Sequence, residues 1–180
     1  ISKVKDRTQL EKGIEMARQF DFKIIVEKSI PKARELECAV LGNNAPEASS
    51  VGEILPAGEF YDYASKYVDD SSTLVIPASL KTEQNDAIRT MALEAFRVIG
   101  GAGMARVDFL MPQAEEQIYI NEINTIPGFT NISMYPRLWQ DSGLDYPQLL
   151  DRLIDLALNR HAAKQSLHTK LPSSQTTDHL

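Results

Sequence analysis

Four polar side chains sit at two-residue spacing in two strand-like runs. Residues 104–111 read M-A-R-V-D-F-L-M and carry Arg106 and Asp108; residues 117–124 read Q-I-Y-I-N-E-I-N and carry Glu122 and Asn124. In extended backbone, residues two apart point to one face. An antiparallel hairpin turning at Pro112–Glu116 sets Asp108 opposite Glu122 and Arg106 opposite Asn124. Two carboxylates, an amide and a guanidinium are then held on one patch of sheet. Asp, Glu and Asn offer hard oxygen ligands for Mg²⁺, and Arg pairs with phosphate oxygens. The bland alternative is a solvated sheet face with cross-strand ion pairs. Asn124 runs directly into T-I-P-G, a loop that could bring backbone N–H groups to an anion.

The elements that must position these residues belong to a globular chain. It has 180 residues, 43% hydrophobic and 24% charged, which fits one ordinary domain or two small lobes. A net charge of −6 argues against nucleic-acid or anionic-membrane binding through bulk charge. It leaves room for a local phosphate site. A single cysteine, Cys38, excludes an intramolecular disulfide and suits a reducing compartment. No apolar run approaches the roughly 18 residues of a membrane span. No basic-then-apolar segment opens the residues given, so a cytoplasmic location is expected. I-S-K-V-K reads like the middle of something longer.

Thr8 and Glu11 read as a capping box ahead of a helix over 8–20. F-K-I-I-V-E-K at 22–28 reads as a strand, and 29–34 as a loop around Pro31. Glu35–Leu41 alternates as a half-buried strand, with Leu36, Cys38 and Val40 inward and Glu35 and Glu37 outward. Strands are expected at 50–55 and 73–78, joined in antiparallel fashion by short links. Residues 59–72 are aromatic and polar without a period: a packed loop over a site, or a surface excursion. Residues 82–99 form the clearest helix, with Ile88, Met91, Ala92, Ala95, Phe96 and Ile99 inward. A short helix over 132–142 is expected to break at Pro136. Asp145 then caps a last helix that buries Leu149, Leu150, Leu153, Ile154, Ala157 and Leu158 and closes at Arg160 and His161. Residues 162–180 read as a loose polar tail.

Other residues carry weaker signals. Glu27 and Lys28 end a strand; they are solvent-reaching termini, or a hinge whose backbone reads a purine edge, with Glu35 beyond for ribose hydroxyls. Lys66 and Tyr67 are a loop tip, or a phosphate contact and a lid. His161, His168 and His179 are not expected in catalysis, and Cys38 reads as a core thiol. No Ser-His-Asp set, CxxC pair or Walker A loop is visible.

Taken together and in order, E-K-x-I at 27–30, R-E-L-E-C-A-V-L-G at 34–42, Y-D-Y-x-x-K-Y at 61–67 and R-V-D-F…N-E-I-N-T-I-P-G-F-T-N-I-S-M-Y-P resemble the D-alanine–D-alanine ligases of the ATP-grasp superfamily. The resemblance runs from residue 1 to about 161. It implies an α+β fold: a mostly antiparallel sheet flanked by helices over 28–161, the ATP-grasp C-terminal domain, preceded by the end of the central lobe at 1–27. It implies ATP and two Mg²⁺ (or Mn²⁺) ions, held by Asp108, Glu122 and Asn124. Arg106 and the Gly128 N–H would meet the tetrahedral transition state. Ser133 and the Met134 amide would hold the carboxylate of the second D-alanine. Glu27, Lys28 and Ile30 would line the adenine pocket, Glu35 would bind ribose, Lys66 would reach the phosphates, and Tyr67 would close the loop over D-alanine. The implied reaction activates one D-alanine as an acyl phosphate and couples it to a second, for peptidoglycan precursor synthesis.

The chain also departs from the family pattern. The N-terminal lobe and the K-P…S-S-V-G segment with its phosphate-binding lysine do not occur in it, and Ile1–Val4 looks like the residues just after that segment. The expected partners are therefore D-alanine, the absent half of the same protein, and a homodimer through that half, with no nucleic acid and no membrane. A fragment inactive alone is expected. A D-alanine–D-lactate-type or other ATP-grasp ligase, and a non-catalytic nucleotide-binding module, stay open as alternatives.

Overall fold

A computed structural model describes residues 1–55, 73–113, 117–130 and 132–167. It divides into two compact units, 1–31 and 32–180. The loop at 59–72 with Lys66 and Tyr67, the middle of the hairpin turn, and His168, His179 and most of the expected tail lie outside the described residues.

The first unit holds one helix, α1 (Arg7–Ala17). Its N-cap is Asp6 rather than Thr8: the Asp6 carboxylate accepts from Gln9 N at 2.8 Å, and Gln9 Oε1 accepts from Lys5 N at 2.9 Å. An aspartate two residues upstream supplies the acceptor that the first turn needs, so the helix starts earlier and ends earlier than its periodicity suggests. The strand expected at 22–28 does not form. β-branched residues favour extended backbone, but a strand needs a partner ladder. None is described within this unit, and Ile25 and Val26 stand 71% and 62% exposed.

The second unit is a five-stranded antiparallel sheet: β1 (Ala33–Gly42), β2 (Glu47–Leu55), β3 (Thr73–Val75), β4 (Gly103–Pro112) and β5 (Tyr119–Asn124), in the order β3-β2-β1-β4-β5. Three helices cover it: α2 (Thr82–Val98), α3 (Met134–Asp141) and α4 (Tyr146–Gln165). One core sets α2 residues Ile88, Ala92 and Phe96 against Leu36, Cys38, Val40, Val107 and Phe109. The other sets Tyr135, Leu138, Trp139 and Leu149 against Ala39, Leu41 and Ile54. The α+β, mostly antiparallel expectation therefore holds. β1 does not behave as a half-buried strand. It is the central strand, packed on both faces, and Glu37, expected at solvent, is buried.

Several boundaries differ for definite reasons. β3 stops at Val75 because Pro77 has no N–H to give the ladder. Pro136 does not break α3; it lies in the first turn, where the missing N–H has no intrahelical partner to lose. α4 starts as expected, with Asp145 accepting from Gln148 N at 2.9 Å. Its inward face, however, is Leu149, Leu153 and Leu156, while Leu150, Ile154, Ala157 and Leu158 are exposed, and the helix continues to Gln165. Ile99 is likewise half exposed. Gly52 permits the closest packing: a Cβ there would lie 2.9 Å from Leu138 Cδ2 and 3.0 Å from Met134 Sδ.

Candidate functional site

The face of the sheet beneath α3 and α4 carries the polar constellation. β4 and β5 pair Arg106 with Asn124 and Asp108 with Glu122, the register expected from the two-residue spacing. A bulge follows at Asp108/Phe109, which displaces Asn121 from the ladder. Asp108 is nearly buried, Asn124 half-buried and Glu122 exposed, so the patch grades from core to solvent.

Arg106 is forked onto a neighbouring carboxylate. Its Nε donates to Asp108 Oδ1 at 2.7 Å and its Nη2 to Asp108 Oδ2 at 2.8 Å, a bidentate fork between residues two apart on one strand. The same Nε lies 3.0 Å from Glu37 Oε2. Glu37 comes from β1, where it is paired with Asp108 in register. The carboxylates of Glu37, Asp108 and Glu122 are thus in line across three strands. Alternation along β1 alone sets Glu37 on a solvent face, which hides it as a site residue. The available signal was its spacing from Glu35, which puts both glutamates on one side of β1.

The loop beyond β5 is built from local bonds. Asn124 Oδ1 accepts from Ile126 N at 3.2 Å, and Thr130 N and Thr130 Oγ1 bond Ser133 Oγ at 2.9 and 2.8 Å. Ser133 is the N-cap of α3, yet its hydroxyl makes no cap bond and is turned into the loop instead. Gly128 sits against it: a Cβ there would lie 3.1 Å from Ser133 Oγ. Met134, the first residue of α3, is buried. Tyr146 Oη donates to Phe129 O at 3.2 Å and ties this loop to α4.

Of the expected site residues, Arg106, Asp108, Glu122 and Asn124 come together on β4 and β5, and Gly128 and Ser133 meet next to Met134. Glu35 is half-buried on β1, on the same face as Glu37. Glu27, Lys28 and Ile30 belong to the first unit, outside any helix or strand. Lys66 and Tyr67 lie outside the described residues. His161 is exposed near the end of α4. Cys38 is a free, fully buried thiol whose pKa burial pushes up to about 12.

Among the described residues no group of three or more His, Cys, Asp or Glu side chains converges on one point to hold a metal. Asp108 and Glu122 offer two carboxylates, and the third oxygen donor of the expected set is the Asn124 amide. The donor chemistry fits a hard divalent cation. Arg106 donates one N–H to each Asp108 oxygen, so a cation bound there shares the carboxylate with the guanidinium.

Comparison with known proteins adds a family. A family model described as "D-ala D-ala ligase C-terminus" matches residues 1–155. The D-alanine–D-alanine ligase A of Escherichia coli is 54% identical over 173 residues, covering 95% of this chain and 47% of that protein. The D-alanine-D-alanine ligase of Coxiella burnetii superposes with a TM-score of 0.79 at 42% identity, over 90% of this chain and 42% of that one. The Bacillus anthracis ligase solved in complex with ATP superposes with a TM-score of 0.74 at 27% identity, over 89% of this chain and 51% of that one. The chain spans about half the length of the curated relatives it matches. The antiparallel sheet and its helices are therefore the ATP-grasp architecture of these ligases, and the chain belongs to the D-alanine–D-alanine ligase family.

Proposed function

We propose that this chain is the ATP-binding half of an enzyme that joins two D-alanines into D-alanyl-D-alanine for peptidoglycan precursor synthesis in the cytoplasm. Residues 1–27 are read as the remainder of the central ATP-grasp lobe, 28–161 as the C-terminal domain and 162–180 as a polar tail. ATP with two Mg²⁺ or Mn²⁺ ions, when bound, supplies the phosphoryl group that activates the first D-alanine carboxylate as an acyl phosphate.

The chain's own residues take defined parts. Asp108, Glu122 and Asn124 hold the divalent cations through hard oxygen ligands. Arg106 and the Gly128 N–H face the oxyanion that develops as the second amine attacks. Ser133 and the Met134 amide, at the start of α3, hold the second D-alanine's carboxylate, where the unpaired N–H groups of a first turn favour an anion. Glu27, Lys28 and Ile30 contact adenine, Glu35 contacts ribose, Lys66 contacts phosphate and Tyr67 shields the reacting carboxylate from water.

The observation that carries this reading is the β4–β5 register, which sets Asp108 against Glu122 and Arg106 against Asn124. Support also comes from the family match and from a relative solved with ATP. The test is D-alanine-dependent ADP release, measured on the chain alone and after adding the half that its relatives carry upstream. The chain alone is expected to be inactive and the complemented protein active. A complemented protein that binds ATP and metal but never couples D-alanine overturns the substrate assignment. Offering D-lactate as the second substrate separates the depsipeptide-forming type.

A further inference from the structure

We propose that Glu37 is a positioning residue that takes charge of the Arg106 guanidinium when a divalent cation claims Asp108. The proposal rests on the reading, given above, that Asp108 is a metal ligand. Arg106, Asp108 and Glu37 are all nearly buried, with side-chain exposures of 11%, 9% and 5%. A divalent cation on Asp108 shares that carboxylate and repels the guanidinium, and an undercompensated charge in a low-dielectric site is costly. Arg106 Nε already lies between two carboxylates, 2.7 Å from Asp108 Oδ1 and 3.0 Å from Glu37 Oε2. Transfer therefore needs a rotation of the fork about Nε, not a relocation of the side chain.

The strand order makes this arrangement rigid. Glu37 is paired in register with Asp108 on one side and with Gly52 on the other. Met134 and Leu138 fill the space at Gly52, next to Glu37 in the ladder. Arg106 is thus kept at one height on β4 whether Asp108 serves the guanidinium or the cation. In this scheme Glu37 touches neither substrate nor metal and acts through Arg106.

The test is Mn²⁺ binding in the presence of ADP, followed by electron paramagnetic resonance on the chain complemented with the upstream half. Asp108→Asn is measured first. If it leaves Mn²⁺ binding intact, the metal reading fails and the proposal falls with it. Given loss of binding in Asp108→Asn, Glu37→Gln is expected to weaken Mn²⁺ about tenfold while Arg106 is present, and less than about twofold in an Arg106→Met background. An equal loss in both backgrounds overturns the proposal, because it assigns Glu37 a through-space charge effect alone. A second measurement needs no change at Glu37. The Arg106 Nε–H resonance of the unsubstituted protein is expected to stay protected from water exchange when Mg²⁺ and ADP are added. Its broadening into exchange with water overturns the proposal.

Discussion

Arg106 closes both of its facing N–H groups on the Asp108 carboxylate, with the second carboxylate of Glu37 3.0 Å from the same Nε. One guanidinium therefore compensates two buried acids. Arg106→Met leaves Asp108 and Glu37 facing each other in register, and it is expected to cost about 3–5 kcal/mol without metal. Asp108→Asn leaves Arg106 with Glu37 and should cost less. Urea midpoints at fixed ionic strength give the ranking, and an equal or reversed order contradicts the shared-charge picture.

The Ser133 hydroxyl spends its bonds on Thr130, not on the helix it caps. Ser133→Ala is expected to cost about 0.5–1.5 kcal/mol in stability through those bonds. In the complemented enzyme it should raise KM for the second D-alanine more than for the first. Gly128→Ala places a methyl 3.1 Å from Ser133 Oγ and should reproduce the KM effect with little change in Tm. Steady-state kinetics with the two D-alanine sites fitted separately read both outcomes; a uniform effect on the two sites contradicts the assignment.

Glu47 lies outside the site and joins the start of β2 to α4 through Arg152 Nη2 at 2.8 Å. That hydrogen bond, with the charge of the guanidinium, holds the Glu47 carboxyl below the usual carboxylate range against an opposing effect of burial. A depressed folded pKa contributes stability above the unfolded value near 4.3, lost as pH falls through the folded one. Both side chains are substantially exposed, so the contribution should stay under about 1 kcal/mol. Thermal melts from pH 6 to pH 3 should show a smaller loss for Glu47→Gln than for the unsubstituted chain, and parallel curves would remove the effect.

Cys38 gives a conformational readout. Its thiol is fully buried, with the pKa pushed up to about 12, chiefly by burial. At pH 8 the folded chain is expected to resist a disulfide-exchange reagent, with labelling that accelerates through the urea transition. Fast labelling without denaturant contradicts its burial on the face of β1 that packs against α2.

The site was legible where period-two spacing and a short turn left one consistent pairing, as for Arg106, Asp108, Glu122 and Asn124. Glu37 was not, because alternation on β1 says which residues share a face but not whether a second layer covers it. The phase of α4 failed for a related reason. Leu150, Ile154 and Leu158 keep helical spacing as well as Leu149, Leu153 and Leu156 do, and only the packed sheet distinguishes the two stripes. The stretch at 22–28 has strand composition, but pairing is a property of two segments, and no second strand is described in residues 1–31. Pro136 is compatible with a helix once its position in the first turn is known.

The absence of a side chain at Gly52 has a consequence for specificity. Met134 and Leu138 rest where a methyl would have to stand, so α3 is seated directly on β2 and cannot settle further or tilt toward the sheet. The end of the helix that carries Ser133 and Met134 therefore works as a fixed stop rather than a hinge. Under the proposed reading, a second substrate of different shape meets an immovable anchor for its carboxylate. Acceptance of a new nucleophile would then come from exchanging the side chains around that stop, since moving the stop means dislodging a core helix.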